Sequence, residues 1–238
     1  SFEFKMIDIN FDVYSDTPLG KDPDSYSPTL RNYHKILWSK SLPNKQKFNL
    51  DLDFPKLLHH KSNLGEFFLS SDSIGHTYKN VKKMSHIVSQ LSSNDMETFF
   101  KKCSTVGAYM IFPSKQVDRK MTINAARGVN SKIQDRFDLT LECIRRLYVQ
   151  EESPLTVTLE RYTSFFNLFQ DFKGYIDFFL LHDLVNKDYS KILYWHPFIN
   201  FDNSPMPKNL EEFSNYRDNV VSFITKRNQR ILMFSKTI

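Results

Sequence analysis

The hydrophobic period of this chain changes partway along, and that switch constrains its fold more than any other feature. Before residue 115 apolar residues recur at every second position; after residue 130 they recur at every third or fourth. Ile7, Ile9, Phe11 and Val13 face one way while Asp8, Asn10 and Asp12 face the other, which predicts a strand with one buried side. Phe48, Leu50 and Leu52 repeat the pattern, and Glu66–Ser70 and Thr105–Phe112 read as short apolar strands, the latter ended by Pro113. Ser27-Pro28 supplies a cap and a first-turn proline for a helix reaching about Lys40, burying Leu30, Tyr33, Leu37 and Trp38. Asn80–Gln90 predicts a second helix, and Asn94 with Glu97 a capping box for a third carrying Met96, Phe99 and Phe100. Helical spacing then dominates over Ile133–Val149, Leu155–Gln170, Tyr175–Val185 and a final stretch from about Leu210 to Arg230. The predicted architecture is α+β: one domain over residues 1–238, β-rich in 1–115 and helical in 130–232. A small, mostly antiparallel sheet packs with the helical C-terminal half.

At 238 residues the chain can bury a large core without disulfides, and 22 phenylalanines with 11 tyrosines make that core aromatic. Cys103 and Cys143 read as small buried hydrophobes of a reducing compartment, which points to a cytoplasmic protein. No apolar run reaches membrane-spanning length; the densest, Tyr175 to Leu181, is broken by Asp177. Lys5, Asp8, Asn10 and Asp12 interrupt the start of the chain, so no leader segment is expected there.

The familiar codes for phosphate loops, dinucleotide binding, zinc proteases and nucleophile elbows are missing, and six glycines leave little material for glycine-rich phosphate loops. No cofactor is assigned. None of the histidines has zinc spacing with the cysteines, and the adjacent His59 and His60 would face opposite ways on a strand, so no metal site is expected.

Charge is unevenly spread. Residues 1–28 hold two basic and six acidic groups, whereas residues 79–136 hold eleven and four, net +7. Within Lys115–Arg146, the cations Arg127, Lys132, Arg136, Arg145 and Arg146 form a candidate anion-binding set, with a loop at Asn124–Asn130 allowing close backbone approach. Arg127, Lys132 and Arg136 are expected to share one surface. Two candidate catalytic pairs stand beside it. Arg31 and His34 are three apart on the first helix, where a histidine acid/base and a phosphate-steadying arginine would suit phosphodiester chemistry. Asp138 and Glu142 share a helix face; their charges repel unless a cation such as Arg136 or Arg145 intervenes. The bland alternative for each is a surface cation beside a satisfied histidine, or a solvated charged stripe.

Several phrases carry a resemblance: Asp22-Pro23-Asp24-Ser25-Tyr26-Ser27-Pro28-Thr29-Leu30-Arg31, then Tyr33-His34 and Leu37-Trp38-Ser39-Lys40. Further on stand Asp135-Arg136-Phe137-Asp138 through Arg146, Gly174-Tyr175, Phe178 to Leu181, and Arg227-Asn228. Together they resemble a family of bacterial proteins known only as a domain of unknown function, over nearly the whole chain. The resemblance implies a bacterial cytoplasmic protein and supplies no activity. Leu147 stands where a histidine would be expected and Lys45 where a glycine would be.

Three classes of function fit these residues. The first is a nucleic-acid-directed protein, binding or processing RNA or DNA, of the toxin or phage-defence kind. The second is a structural or protein-interaction domain without catalysis. The third is an enzyme on a small phosphorylated or acidic substrate. The expected partner is nucleic acid or another phosphate-bearing ligand, with no membrane; the residues do not specify an oligomeric state.

Overall fold

The structure, a computed structural model, describes residues 7–238; Lys5, one of the residues on which the leader expectation rests, lies outside them. Three strands, β3 (Leu58–Ser62), β4 (Gly65–Ser73) and β5 (Tyr109–Pro113), form an antiparallel sheet in that order. Leu58 pairs with Leu69, and Leu69 in turn with Pro113. The β3–β4 turn needs Gly65, whose φ of +131° few side-chain-bearing residues adopt. A second ribbon pairs β1 (Lys40–Ser41) with β2 (Lys47–Phe48). Ahead of these strands lie α1 (Pro23–Tyr26) and α2 (Pro28–Trp38), the latter capped by Ser27 Oγ, which accepts from Leu30 N at 3.1 Å.

Helices α3 (Ser85–Val88) and α4 (Ser93–Lys102) connect β4 to β5. After β5 the described chain is helical, with α5 (Ile123–Val129), α6 (Phe137–Tyr148), α7 (Thr156–Glu160), α8 (Thr163–Phe166), α9 (Phe172–Phe179) and α10 (Leu210–Ser235). The α+β class with small antiparallel sheets in the N-terminal half is therefore as expected. No helix among the described residues is long and apolar enough to cross a membrane.

Helix α10 is fastened to the sheet by two buried polar side chains. Asn228 accepts from Gly107 N at 2.7 Å and donates to Thr105 Oγ1 at 2.9 Å. Arg227 donates to the carbonyls of Tyr109 (2.7 Å), Gly107 (3.1 Å) and Phe179 (3.0 Å). These bonds satisfy backbone groups that would otherwise be buried unpaired.

Several local expectations are corrected. Ile7–Val13 alternates in burial but forms no strand. Asp8 accepts from Asn10 N through its side chain (2.9 Å) and from Phe11 N through its carbonyl (3.2 Å), so the segment bonds locally. Asn124–Asn130 is not a loop: Thr122 caps Ala125 N at 3.3 Å and starts α5. Leu155–Gln170 is broken into α7, α8 and a 3-10 turn rather than one helix. The Tyr148 hydroxyl takes the carbonyl of Phe166 at 2.6 Å, and Phe165, Phe166 and Phe169 turn into the core.

Candidate functional site

An acidic pocket of about 280 Å³ lies where the N-terminal loops, β4 and α4 meet. Its wall carries Asp22 and Asp24 from the start of α1, Asp72 and Ser73 from the end of β4, and His76 just beyond. Asp135, from the turn before α6, closes one side, and Tyr14, Phe100 and Tyr109 supply aromatic surface. The Tyr14 and Phe100 rings sit 5.1 Å apart.

Local sequence explains the placement. Asp22 is the cap of α1, accepting from Asp24 N at 3.2 Å, so the Asp-Pro-Asp run keeps both carboxyls together. Gln134 and Asp135 are consecutive left-handed residues, with φ of 48° and 62°, a conformation that bends the chain back so that Asp135 reaches the pocket. Arg127, fully buried behind the wall, holds that arrangement. Its Nη1 lies 2.7 Å from Asp72 Oδ2 and 3.7 Å from Asp135 Oδ1, Nη2 donates to the Asp135 carbonyl at 3.0 Å, and Nε donates to Thr140 Oγ1 at 3.1 Å. His76 stacks on Tyr78 at 4.3 Å and accepts the Tyr78 N–H at Nδ1 (2.8 Å), which leaves its proton on Nε2, 3.7 Å from Asp135 Oδ2.

The two central carboxyls differ electrostatically. Burial, then the charges of Asp72 and Asp22, hold the Asp24 carboxyl protonated far above the usual carboxylate range; the Ser71 hydroxyl pulls it partly back. Its Oδ1 is enclosed without a hydrogen-bond partner. Burial raises Asp72 as well, but less, because the Arg127 guanidinium favours its ionised form. The pocket thus sets a carboxyl that favours its proton next to one that ionises more readily, an arrangement general acid–base chemistry uses. Among the described residues no set of three His, Cys, Asp or Glu side chains converges in metal-holding geometry.

The candidates named from sequence lie elsewhere. Arg31 donates to the carbonyls of Leu52 and Phe54 at 3.3 and 3.1 Å, while the buried His34 has Nε2 2.8 Å from Ser71 Oγ, so the two side chains hydrogen-bond to different partners. Asp138 is buried, gripped by Arg136 and by the Trp195 N–H at 2.8 Å. Glu142 accepts from Arg145 Nη2 (2.8 Å) and Arg146 Nε (3.0 Å) and is held below the ordinary range, its burial outweighed by those two arginines. Arg146 also reaches Asn200 Oδ1 at 2.8 Å, and Lys132 donates to the Phe201 carbonyl at 3.0 Å. Arg127 and Arg136 are enclosed; with Lys132 exposed on the outside, the three do not share one surface. Sequence reasoning overlooked Asp22, Asp24, Asp72 and Asp135 as a group. The available signal was the Asp-Pro-Asp run, which entered only as part of the family resemblance.

No curated protein and no solved structure matches this chain. The family described as "Family of unknown function (DUF6994)" matches residues 7–231, nearly the full length, and the chain belongs to that family.

Proposed function

We propose that the acidic pocket is the active site of an acid–base hydrolase acting on a small neutral or cationic substrate, a glycoside fitting best. Asp24 would protonate the leaving oxygen, and Asp72, kept ionised by Arg127, would act as base or nucleophile. The observation that carries the reading is that Asp24 and Asp72 line one pocket in unlike settings, the Asp24 Oδ1 enclosed without a hydrogen-bond partner and Asp72 2.7 Å from the Arg127 guanidinium. Glycosidic cleavage needs one protonated and one ionised carboxyl, and aromatic walls such as Tyr14, Phe100 and Tyr109 suit a sugar face. Asp22 and Asp135 add further negative charge, which disfavours a phosphorylated or acidic substrate in this pocket.

A nucleic-acid role would rest on different residues from Arg127 and Arg136, namely the exposed Lys79, Lys82, Lys83, Arg119 and Lys120. The test is turnover of a panel of nitrophenyl glycosides, neutral and amino-substituted. The reading expects hydrolysis of at least one member, abolished by both Asp24→Asn and Asp72→Asn. Folded protein that turns over none of the panel counts against it.

A further inference from the structure

A second cavity, of about 420 Å³, opens between the β1–β2 ribbon and the start of α9, and Lys40 stands in its wall with Pro43, Gln170 and Phe178. Among the described residues no carboxylate lies within ion-pair distance of the Lys40 ammonium. It sits instead among three aromatic rings, with centroids at 5.4 Å (Trp38), 4.6 Å (Phe178) and 4.4 Å (Phe234). The fully buried Arg227 guanidinium also lies over Trp38, at 5.5 Å, and its hydrogen bonds go to carbonyls and a thioether, not to a carboxylate. Asp177, whose charge acts on Lys40, is already engaged by Lys173 Nζ (2.6 Å), His182 Nε2 (2.9 Å) and the Tyr189 hydroxyl (2.7 Å). Asp171 is spent capping Gly174 N at 2.7 Å. The cavity wall is also strained. Gln170 adopts φ 74° and ψ −56°, a tight turn in which Asp171 N bonds to the Phe169 carbonyl at 2.9 Å.

A buried amine set near a second cation is the environment in which lysine becomes a nucleophile. We propose that Lys40 is a carbonyl-reactive amine, and that this cavity binds a small aldehyde or ketone which Lys40 captures as an imine. The Nζ lone pair attacks the carbonyl carbon, and one of the two amine protons passes to the carbonyl oxygen, the second following as the carbinolamine collapses. The carbinolamine then expels that oxygen as water as the C=N bond forms; nothing is oxidised or reduced. Burial first, and then the Arg227 charge, lower the Lys40 ammonium to about 8, against the opposing pull of Asp177. Lys45 and Lys173, which also line the cavity, add further positive charge. At pH 7.5 this leaves roughly two-hundredfold more free amine than an ordinary lysine holds. The site is independent of the acidic pocket.

The test incubates the protein with pyruvate, traps any imine with borohydride, and maps the adduct by peptide mass spectrometry. The expected result is one adduct per chain at Lys40, forming with a midpoint near pH 8. It should be lost in Lys40→Arg, which keeps the cation but forms no imine and whose fold is checked by circular dichroism. Labelling spread over surface lysines without excess at Lys40, no labelling at all, or an adduct that survives in folded Lys40→Arg would overturn the proposal.

Discussion

The indole N–H of Trp38 lies 2.9 Å from Nδ1 of His34, and because an indole nitrogen can only donate, this bond fixes the histidine's tautomer. Nδ1 must carry the lone pair, so the proton sits on Nε2 and is given to Ser71 Oγ at 2.8 Å. The Ser71 hydrogen is then available to the Asp24 carboxyl, which Ser71 draws toward ionisation. His34 therefore cannot take a proton from Ser71; it ties α2 to β4, the strand that carries Asp72 into the acidic pocket.

His34 should stay neutral through the physiological range. Burial, with Arg227 and Arg31 adding repulsion, lowers it to about 3. A histidine depressed in the folded state contributes stability above its unfolded value, near 6.5, that is lost as pH falls from there toward 3. Nitrogen-15 NMR of the imidazole should show the Nε2–H tautomer at every pH between about 5 and 8. Trp38→Phe should cost about 1–3 kcal/mol through the orphaned acceptor alone, read by urea denaturation.

Arg127→Met should destabilise by about 3–5 kcal/mol, because it removes the buried counter-charge of Asp72 and Asp135 and the hydrogen bonds to the Asp135 carbonyl and Thr140. Adding Asp72→Asn should recover part of that loss, with a coupling of about 0.5–3 kcal/mol in a double-mutant cycle. Strict additivity of the two losses would show that the guanidinium does not act on Asp72.

Asp24→Asn should raise stability at neutral and alkaline pH. A carboxyl whose folded value is raised holds a proton the unfolded chain has lost, so wild-type stability falls as pH climbs above the unfolded value. The slope approaches about 1.4 kcal/mol per pH unit for one retained proton. The variant, lacking that proton, should show a shallower decline between about pH 5 and 8 in thermal melts.

Much of the fold is legible in the sequence, and most of the site is not. Ser27-Pro28 starts α2 as its residue types require, and the helical period after residue 130 marks α6, α9 and α10. Ile7–Val13 misleads because alternating burial needs only a core on one side, whereas a strand also needs a partner edge, and Asp8 satisfies the backbone itself. Arg127 and Arg136 look like surface cations because their counter-charges are tertiary or conformational. Asp72 is 55 positions from Arg127, and Asp138 reaches Arg136 only where the chain turns into α6. The acidic pocket draws on residues 22, 24, 72, 76 and 135, a convergence that no local window contains.

Gly174→Ala should be among the most damaging single changes outside the pocket. An added Cβ would lie 1.9 Å from the Phe169 carbonyl oxygen, backbone that cannot swing away. A loss of about 3 kcal/mol or more is expected, measured by chemical denaturation, since overpacking here meets main chain rather than a flexible side chain.

The proposed site needs two carboxyls of unlike protonation in one pocket, and side-chain carbon-13 NMR of the aspartates reads that directly. Asp24 should keep the chemical shift of a protonated acid past pH 7, while Asp72 titrates above the ordinary carboxylate range but below Asp24. In Arg127→Met, Asp72 should move further upward, because its favouring charge is gone. If Asp24 and Asp72 both lose their protons near pH 4, as free aspartates do, the acid–base assignment is contradicted.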